Sequence, residues 1–162
     1  MIPRADDNRW MLAALEEARA ADVAGEVPVG AVIVRDGQLV ARAGNRTVRD
    51  RDPTAHAEAL VIRAAAAVSD TWRLDGCSLY VTLEPCAMCA GAIVLARLDR
   101  VVLGAWDERA GMAGSVADLL RHPRLNHRPE VLAGVHRAEC AALLSAFFRR
   151  RRQIVDTPAS TA

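Results

Sequence analysis

Two short motifs, separated by a long stretch of chain, constrain the fold of this protein more than any other feature of its sequence. The first places Glu58 two residues after His56, and the second is Pro85 followed by the pair Cys86 and Cys89. One imidazole and two thiols are the protein ligands of a catalytic zinc site, which keeps its fourth position for water, whereas a structural site closes with a fourth protein ligand. The two motifs therefore predict a fold in which both segments meet around one zinc ion.

The same residues predict a reaction class. Zinc lowers the pKa of a bound water from about 15.7 towards about 7, so that zinc-bound hydroxide is available as a nucleophile at neutral pH. The Glu58 carboxylate can carry a proton from that water to a ring nitrogen and then to the leaving amine. Hydrolytic deamination of an amidine-like carbon, with release of ammonia, is the chemistry that this set favours.

Other interpretations of the cysteines are weaker. The C-x-x-C spacing also occurs in redox pairs, but such a pair needs no H-x-E partner, and Pro85 precedes the cysteines instead of lying between them. A structural zinc site would need a fourth ligand from residues that show no paired spacing, namely Cys77, Cys140, His122, His127 and His136. Cys77 and Cys140 stand in apolar surroundings, so we expect them to be buried packing residues.

The hydrophobic periodicity predicts helices that alternate with short strands. Helices are expected from Asp6 or Asp7 to about Ala24, over 53–68 with Asp52 as the cap, from Pro85 onward, over 116–120 and over 138–152. Strands are expected over 29–34, 39–43, 78–82, 100–104 and 130–135, and a polar loop over 44–52. The Asp36-Gly37 turn makes the first two strands an antiparallel hairpin, and the later strands are expected to be parallel. This order predicts a three-layer α/β/α fold with a five-stranded mixed sheet.

Composition sets the class of the protein. The chain of 162 residues is 52% apolar and 25% charged, which is typical of a soluble globular protein. We expect one domain over 1–162 that buries about two-thirds of its unfolded surface, with loosely held ends at about 1–6 and 153–162. The net charge of +1 restricts any nucleic-acid surface to a local patch. No secretory signal opens the chain and its longest apolar run, 87–96, is too short to span a bilayer, so we expect a cytoplasmic protein with no membrane partner.

The order H-x-E followed by P-C-x-x-C is the known signature of zinc nucleobase deaminases. From about residue 10 to 152 the sequence resembles the bacterial tRNA adenosine deaminases, within the cytidine-deaminase-like superfamily. The segments that carry this resemblance are 26–32, 44–46, 52–58, 79–86, 113–115, 125–128 and 139–144. The later segments are the more specific ones, because deaminases of free bases and nucleosides need not share them.

The resemblance implies a homodimer that converts the wobble adenosine of a tRNA anticodon stem-loop to inosine. It implies that His56, Cys86 and Cys89 bind one Zn²⁺ per chain and that Glu58 is the proton shuttle. Asn45 matches the asparagine that holds the flipped nucleoside, since an amide both donates and accepts hydrogen bonds. The other substrate-binding residues that the resemblance implies are Val27, Pro28, Val29, Asp107, Phe148, Arg149, Arg151 and Arg152.

Several alternatives stay open at the level of sequence. Trp106 stands where many family members carry a polar or charged residue, and either stacks on an unpaired base or packs against the protein. The basic run that follows Phe148 either clamps phosphates or is a solvated helix end. A deaminase of guanine, cytosine or cytidine would share the zinc chemistry but gain nothing from the arginines. A non-catalytic zinc protein that binds RNA would have no use for Glu58.

Overall fold

The computed structural model describes residues 4–156, which contain five helices and five strands. The helices are α1 (Asp7–Val23), α2 (Thr47–Asp50), α3 (Ala57–Ser69), α4 (Ala87–Leu95) and α5 (Arg137–Asp156). The strands are β1 (Gly30–Arg35), β2 (Gln38–Gly44), β3 (Cys77–Leu83), β4 (Arg100–Ala105) and β5 (Glu130–Ala133). None of the helices in this part of the chain combines the length and apolar character needed to cross a membrane.

All five strands form one mixed sheet in the order β2-β1-β3-β4-β5. Strand β1 is antiparallel to both β2 and β3, whereas β3, β4 and β5 run parallel to one another. Asp36 and Gly37 both have positive φ, 51° and 71°, as the tight turn of a two-residue hairpin requires. The predicted mixed sheet, with its leading hairpin and later parallel strands, is confirmed.

Helices cover both faces of the sheet. Side chains alternate along the buried strands, so both faces are apolar and each is packed against helices. Leu79 and Val101 point to one face, where they join α3 and α4 in an apolar cluster. Tyr80 and Val102 point to the other face, where they meet α1 and the start of α5. Cys77 belongs to the first cluster and Cys140 to the second, and both are buried as predicted. The predicted three-layer α/β/α fold is confirmed.

Helix α1 lies directly on the backbone of the hairpin. Gly30 of β1 pairs with Gly44 of β2, and α1 crosses this pair. A Cβ atom at Gly30 would lie 2.1 Å from the carbonyl oxygen of Ala14, and one at Gly44 would lie 2.8 Å from that of Glu17. Only glycine permits so close an approach of a helix to a strand.

A buried ion pair fastens the first turn of α1 to β4. The Arg100 guanidinium, 1% exposed, donates to both carboxylate oxygens of Asp7 at 2.6 and 3.0 Å, and the Tyr80 hydroxyl donates to Asp7 at 3.0 Å. Burial alone would raise the pKa of Asp7. Hydrogen bonds from Arg100, from the Arg4 backbone N–H and from Tyr80 outweigh burial, so the pKa of Asp7 lies below its ordinary value.

Three predicted elements are wrong in position or kind. The helix predicted over 53–68 begins at Ala57, because Asp52 accepts hydrogen bonds from the N–H and hydroxyl of Thr54 and closes a turn instead of capping a helix. The helix predicted from Pro85 begins at Ala87, with Cys86 as its N-cap. The helix predicted over 116–120 does not form. Those residues lie in a loop that contains an isolated bridge between Ala113 and Asp118.

The polar loop predicted over 44–52 is wrong where α2 forms, over Thr47–Asp50. Its backbone N–H groups find an acceptor in a distant side chain, described with the site below. The prediction of loose ends falls partly on 1–3 and 157–162, which lie outside the described residues. At the described ends of the chain, the Arg4 N–H donates to Asp7 at 2.7 Å, and α5 continues past its predicted end to Asp156.

Candidate active site

The predicted zinc ligands meet at the N-termini of two helices. His56 is the N-cap of α3 and Cys86 the N-cap of α4, and Cys89 lies in the first turn of α4. The ligand atoms of these three residues all lie within 4.8 Å of one another, and both sulfurs are 3.6 Å from the His56 Nδ1. A tetrahedral zinc ion with ordinary bond lengths would hold a nitrogen and a sulfur ligand about 3.5 Å apart. The donor set therefore fits zinc.

Electrostatics favour metal binding at this point. The partial positive charges of two helix N-termini stabilise thiolates. Hydrogen bonds from Cys89 and then from His56 lower the pKa of Cys86 to about 3. A hydrogen bond with Cys86 and then burial raise the pKa of Cys89, and a hydrogen bond with Cys86 raises the pKa of His56. One thiolate is thus already favoured before a second proton is displaced by a metal ion.

Glu58 lies in the first turn of α3 beside the three candidate ligands, and only 4% of it is exposed. Burial raises the pKa of its carboxyl group to about 7. A carboxyl group with a pKa near neutrality both accepts and returns a proton under physiological conditions. The structure therefore gives Glu58 the position and the acidity that a proton shuttle needs.

Asn45 connects the end of β2 to the start of α3. It is buried, and its Oδ1 accepts a hydrogen bond of 2.8 Å from the N–H of Ala57, the first residue of α3. This bond fixes the start of the helix next to His56. The Asn45 Nδ2 makes no hydrogen bond with the described residues and is available to donate to a ligand.

The predicted segment of Val27, Pro28 and Val29 divides into a buried and an accessible part. Pro28 and Val29 are buried, and the Val29 carbonyl accepts a hydrogen bond from the Asn45 N–H at 3.0 Å. Val27 is half-buried and lines a surface groove. Val29 thus holds the backbone of Asn45, and Val27 is the one of the three that lines the groove.

This groove has a volume of about 750 Å³ and gathers residues from four parts of the chain. Its lining consists of Val27, Leu83, Trp106, Asp107, Glu108, Arg109, Leu144, Ser145, Phe148, Arg149 and Arg152. Five of the predicted substrate-binding residues are among them. Leu83 stands three residues before Cys86, so one end of the groove lies close along the chain to the zinc ligands.

The arginines of α5 point in different directions. Arg149 and Arg152 line the groove. Arg150 forms an ion pair with Asp22 of α1, and the Arg151 guanidinium lies 5.5 Å from the centroid of the Phe147 ring. The structure therefore brings two of the predicted arginines to the groove and places Arg151 outside it.

Asp107 and Trp106 form one wall of the groove. The Asp107 Oδ1 accepts hydrogen bonds from the N–H groups of Arg109 and Ala110 at 3.0 and 3.3 Å, which closes a turn. The Oδ2 atom makes no hydrogen bond with the described residues. Trp106 is half-buried, packs against the core and also lines the groove, so both of its predicted alternatives are compatible with its position.

Two buried glutamates escaped the sequence analysis. Glu26, 1% exposed, accepts hydrogen bonds from the N–H groups of Val48 and Arg49 at 3.0 and 2.7 Å and so holds α2. Glu84, 2% exposed, accepts hydrogen bonds from the loop that follows β4. Their signal in the sequence is a lone glutamate inside an apolar segment, since a buried carboxylate needs several donors.

Comparison with known proteins places this geometry in a family. The sequence matches the family model of the cytidine and deoxycytidylate deaminase zinc-binding region over residues 4–105. It is 50% identical over 147 residues to a tRNA-specific adenosine deaminase of Bacillus subtilis (strain 168), covering 91% of each chain. It is 47% identical over 148 residues to one of Agrobacterium fabrum, covering 91% of this chain and 97% of the relative.

Solved structures agree with this assignment. A structure from work on A-to-I editing by tRNA:A34 deaminases at the wobble position of transfer RNA matches with a TM-score of 0.82 and 47% identity, covering 84% of this chain and 99% of that one. A guanine deaminase from Nitrosomonas europaea matches with a TM-score of 0.77 and 27% identity, covering 91% and 86%. The resemblance and the zinc cofactor inferred from the sequence are thus confirmed. The chain belongs to the tRNA-specific adenosine deaminases, within the family defined by the cytidine and deoxycytidylate deaminase zinc-binding region.

Proposed function

We propose that this chain hydrolyses the wobble adenosine of a tRNA anticodon stem-loop to inosine, with Zn²⁺ held by His56, Cys86 and Cys89. The observation that carries the proposal is the groove that combines aromatic rings with arginines and includes Leu83, three residues before the zinc ligand Cys86. The relatives at 50% and 47% identity bear the name tRNA-specific adenosine deaminase, which supports the same substrate.

The residues of the site divide the chemistry among them. Zinc, when bound, supplies Lewis acidity that lowers the pKa of a coordinated water. Glu58, buried beside the ligands, delivers one proton of the water to the ring nitrogen and then the second to the amine, which departs as ammonia. Asn45 holds the base or ribose through Nδ2, while its Oδ1 stays bound to the N–H of Ala57.

The groove supplies the contacts that hold RNA outside the reaction pocket. An anticodon loop presents unpaired bases, so the target base leaves its stack at little cost. Arg149 and Arg152 meet phosphates, and Phe148 offers an aromatic face to a splayed base. The unpaired Oδ2 of Asp107 accepts a hydrogen bond from a ribose 2′-hydroxyl, which DNA lacks.

Comparison of substrates tests the proposal. Deamination rates are measured at matched concentration and salt for a stem-loop with adenosine at the wobble position, for free adenosine and cytidine, and for guanine. We expect the stem-loop to react fastest and Glu58→Ala to abolish its conversion. Incubation with a total tRNA pool should place inosine at the wobble position.

A guanine deaminase is the second candidate, because the Nitrosomonas europaea enzyme shares the fold over most of both chains. Faster conversion of guanine than of the stem-loop would assign this chain to that class. RNA binding that is tight while no substrate turns over would instead indicate a non-catalytic zinc protein. The presence of buried Glu58 beside the ligands weighs against that outcome.

We also propose that two copies pair through α4 and that each completes the RNA site of the other. The outward face of α4 is apolar at four positions one turn apart or less, Met88, Gly91, Ala92 and Leu95, and Leu95 is 73% exposed. A cavity of about 450 Å³ continues this face towards Leu119 and Leu125. An uncharged stripe of this kind is typical of an interface. A tRNA substrate would place the enzyme in the cytoplasm.

A further inference from the structure

We propose that Glu84 is a positioning residue, which fixes the Trp106 and Asp107 wall of the groove relative to the zinc ligand Cys86. Glu84 lies two residues before Cys86, and its side chain points into the loop that follows β4. It is 2% exposed. The proposal rests on the proposed function for its RNA readout, but its structural readout does not depend on the substrate.

The carboxylate of Glu84 is the centre of that loop. Its Oε1 accepts hydrogen bonds from the N–H groups of Ala113 and Ser115 at 2.8 and 3.1 Å. Its Oε2 accepts one from the Asp107 N–H at 2.9 Å and one from the Ser115 hydroxyl. All four donors belong to the segment 107–115. The carboxylate therefore satisfies backbone N–H groups that a helix or strand would otherwise satisfy with backbone carbonyls.

Backbone hydrogen bonds join the same two segments on both sides of this carboxylate. The Glu84 N–H donates to the Ala105 carbonyl at 2.9 Å, and the Met112 N–H donates to the Pro85 carbonyl at 2.9 Å. The loop also passes so close that a Cβ atom at Gly111 would lie 2.1 Å from the Glu84 Oε2. The stretch that leads to Cys86 and the loop that carries Asp107 are therefore held as one unit.

The hydrogen-bonding groups of glutamine indicate which contact of Glu84 a Glu84→Gln variant would lose. A glutamine amide has one acceptor oxygen and one donor nitrogen, so one of the two oxygen positions must become a donor. At the Oε1 position that nitrogen would face two backbone N–H groups. At the Oε2 position it would face only the Asp107 N–H, because the Ser115 hydroxyl can turn and accept. Glu84→Gln is thus expected to release the loop at Asp107 while keeping its far end at Ala113.

The test combines a structural and a functional readout. Hydrogen exchange over 106–115 is compared among wild type, Glu84→Gln and Asp7→Asn, which removes another buried carboxylate far from the groove. Binding of the anticodon stem-loop is measured in a Glu58→Ala background, together with the zinc content. We expect Glu84→Gln to keep its zinc, to lose protection near Asp107, and to bind the stem-loop about 10–100-fold more weakly, as misplacement of a contact surface by about 1 Å does. We expect Asp7→Asn to bind the stem-loop within about twofold of wild type, because the sites are distant and independent. Any loss of protection that it causes should be spread over the chain and not concentrated at 106–115.

Ser115→Ala is the milder variant, since it removes only the hydroxyl contact with Glu84 and sits at an exposed position. It should show a smaller loss of hydrogen-exchange protection over 106–115. If Glu84→Gln does not fold, this variant tests the role of Glu84. Unchanged protection over 106–115 in the folded variants would overturn the proposal. So would a loss of stem-loop binding that is equal in Glu84→Gln and Asp7→Asn. A wild-type chain that binds no stem-loop would refute the proposed function, and hydrogen exchange alone would then decide the role of Glu84.

Discussion

At the scale of single residues, the proposed function assigns metal binding and proton transfer to different side chains. The three candidate ligands bind the metal, and Glu58 carries the proton. The three candidate ligands are cap or first-turn residues of two helices, while Glu58 is the second residue of α3 and is nearly enclosed. A change at Glu58 should therefore leave the metal in place. A change at a ligand should remove it, and with it the chemistry.

We predict that Glu58→Ala keeps the fold and the zinc but lowers kcat on the stem-loop by at least about 10²–10⁴-fold, the usual contribution of general acid–base catalysis. Glu58→Gln is the matched control, because it preserves shape and burial but cannot carry the proton. Elemental analysis and steady-state kinetics on the same preparations provide the measurement. Substantial remaining turnover in either variant, or loss of zinc, would contradict the shuttle role.

We predict about one zinc per chain, bound by two sulfurs, one nitrogen and one water. The three donors within 4.8 Å are the reason, since no other group of this kind occurs among residues 4–156. X-ray absorption should show two sulfur scatterers in wild type, and Cys86→Ser should bind zinc more weakly. A fully active preparation without metal would rule out this site.

At the scale of elements, α5 places its arginines in three surroundings: the groove, the Asp22 carboxylate of α1 and the ring of Phe147. We predict that Arg149→Gln combined with Arg152→Gln weakens stem-loop binding for all sequences and flattens the salt dependence by roughly 0.7 per lost phosphate contact. Turnover at saturating RNA should change less, because the zinc ligands and Glu58 are untouched. Binding titrations over a range of salt concentrations measure the slope.

Arg150→Gln is the control for this pair, because Arg150 belongs to the same helix but pairs with Asp22 of α1. Its salt slope should match that of wild type. If the double variant also keeps the wild-type slope, the basic run is only a solvated helix end.

The buried pair between α1 and β4 makes stability depend on acid. Asp7→Asn should lower the free energy of unfolding at neutral pH by about 3 kcal/mol, because Arg100 loses its bidentate partner. The folded pKa of Asp7 lies below its unfolded value of about 3.9, so the carboxylate contributes fully above that pH. Its contribution is lost as the pH falls through the folded value. Urea unfolding at several pH values should show the gap between wild type and variant closing below about pH 4, and a constant gap would refute the linkage.

The sequence predicts the strands and misses the start of α3, the helix α2 and the loop after β4 for one physical reason. Strands and long helices show their hydrophobic period within a short window. At the start of α3 and in α2, backbone N–H groups are satisfied by side chains far away in the chain, Asn45 and Glu26. Directly before the helix predicted over 116–120, Glu84 satisfies the N–H groups of Ala113 and Ser115 in the same way. Local propensity contains no information about such acceptors, so Asp52 and Pro53 indicated a helix that the fold begins later.

The site shows the same division. The zinc ligands and Glu58 are fixed by a spacing that few other functions require, so they can be predicted from the sequence. The partition of the arginines cannot, because the ion pair of Arg150 depends on how α5 packs against α1. That residues 1–162 form one domain stays a prediction.

At the scale of the whole molecule, the apolar face of α4 implies an assembly. We predict that Leu95→Glu converts a dimer into a monomer and lowers stem-loop deamination, because it places a charge on the proposed interface. Val68→Glu, at another exposed apolar position, 71% exposed on α3, should leave the oligomeric state unchanged. Light scattering at micromolar concentration measures both. A wild-type monomer with full activity would contradict the proposal.

The glycine pair beneath α1 bears on how freely this sequence can vary. Gly30 directly follows Val29 and Gly44 directly precedes Asn45, so the pair lies next to the residue that we propose holds the nucleoside. The atoms that a side chain would strike belong to the helix backbone, which no change of rotamer can move aside. In a library of all single substitutions selected for activity, these two positions should tolerate as little as the zinc ligands do. Evolution of this enzyme is therefore constrained as strictly at two glycines, which have no side chain, as at the residues that have the most reactive side chains.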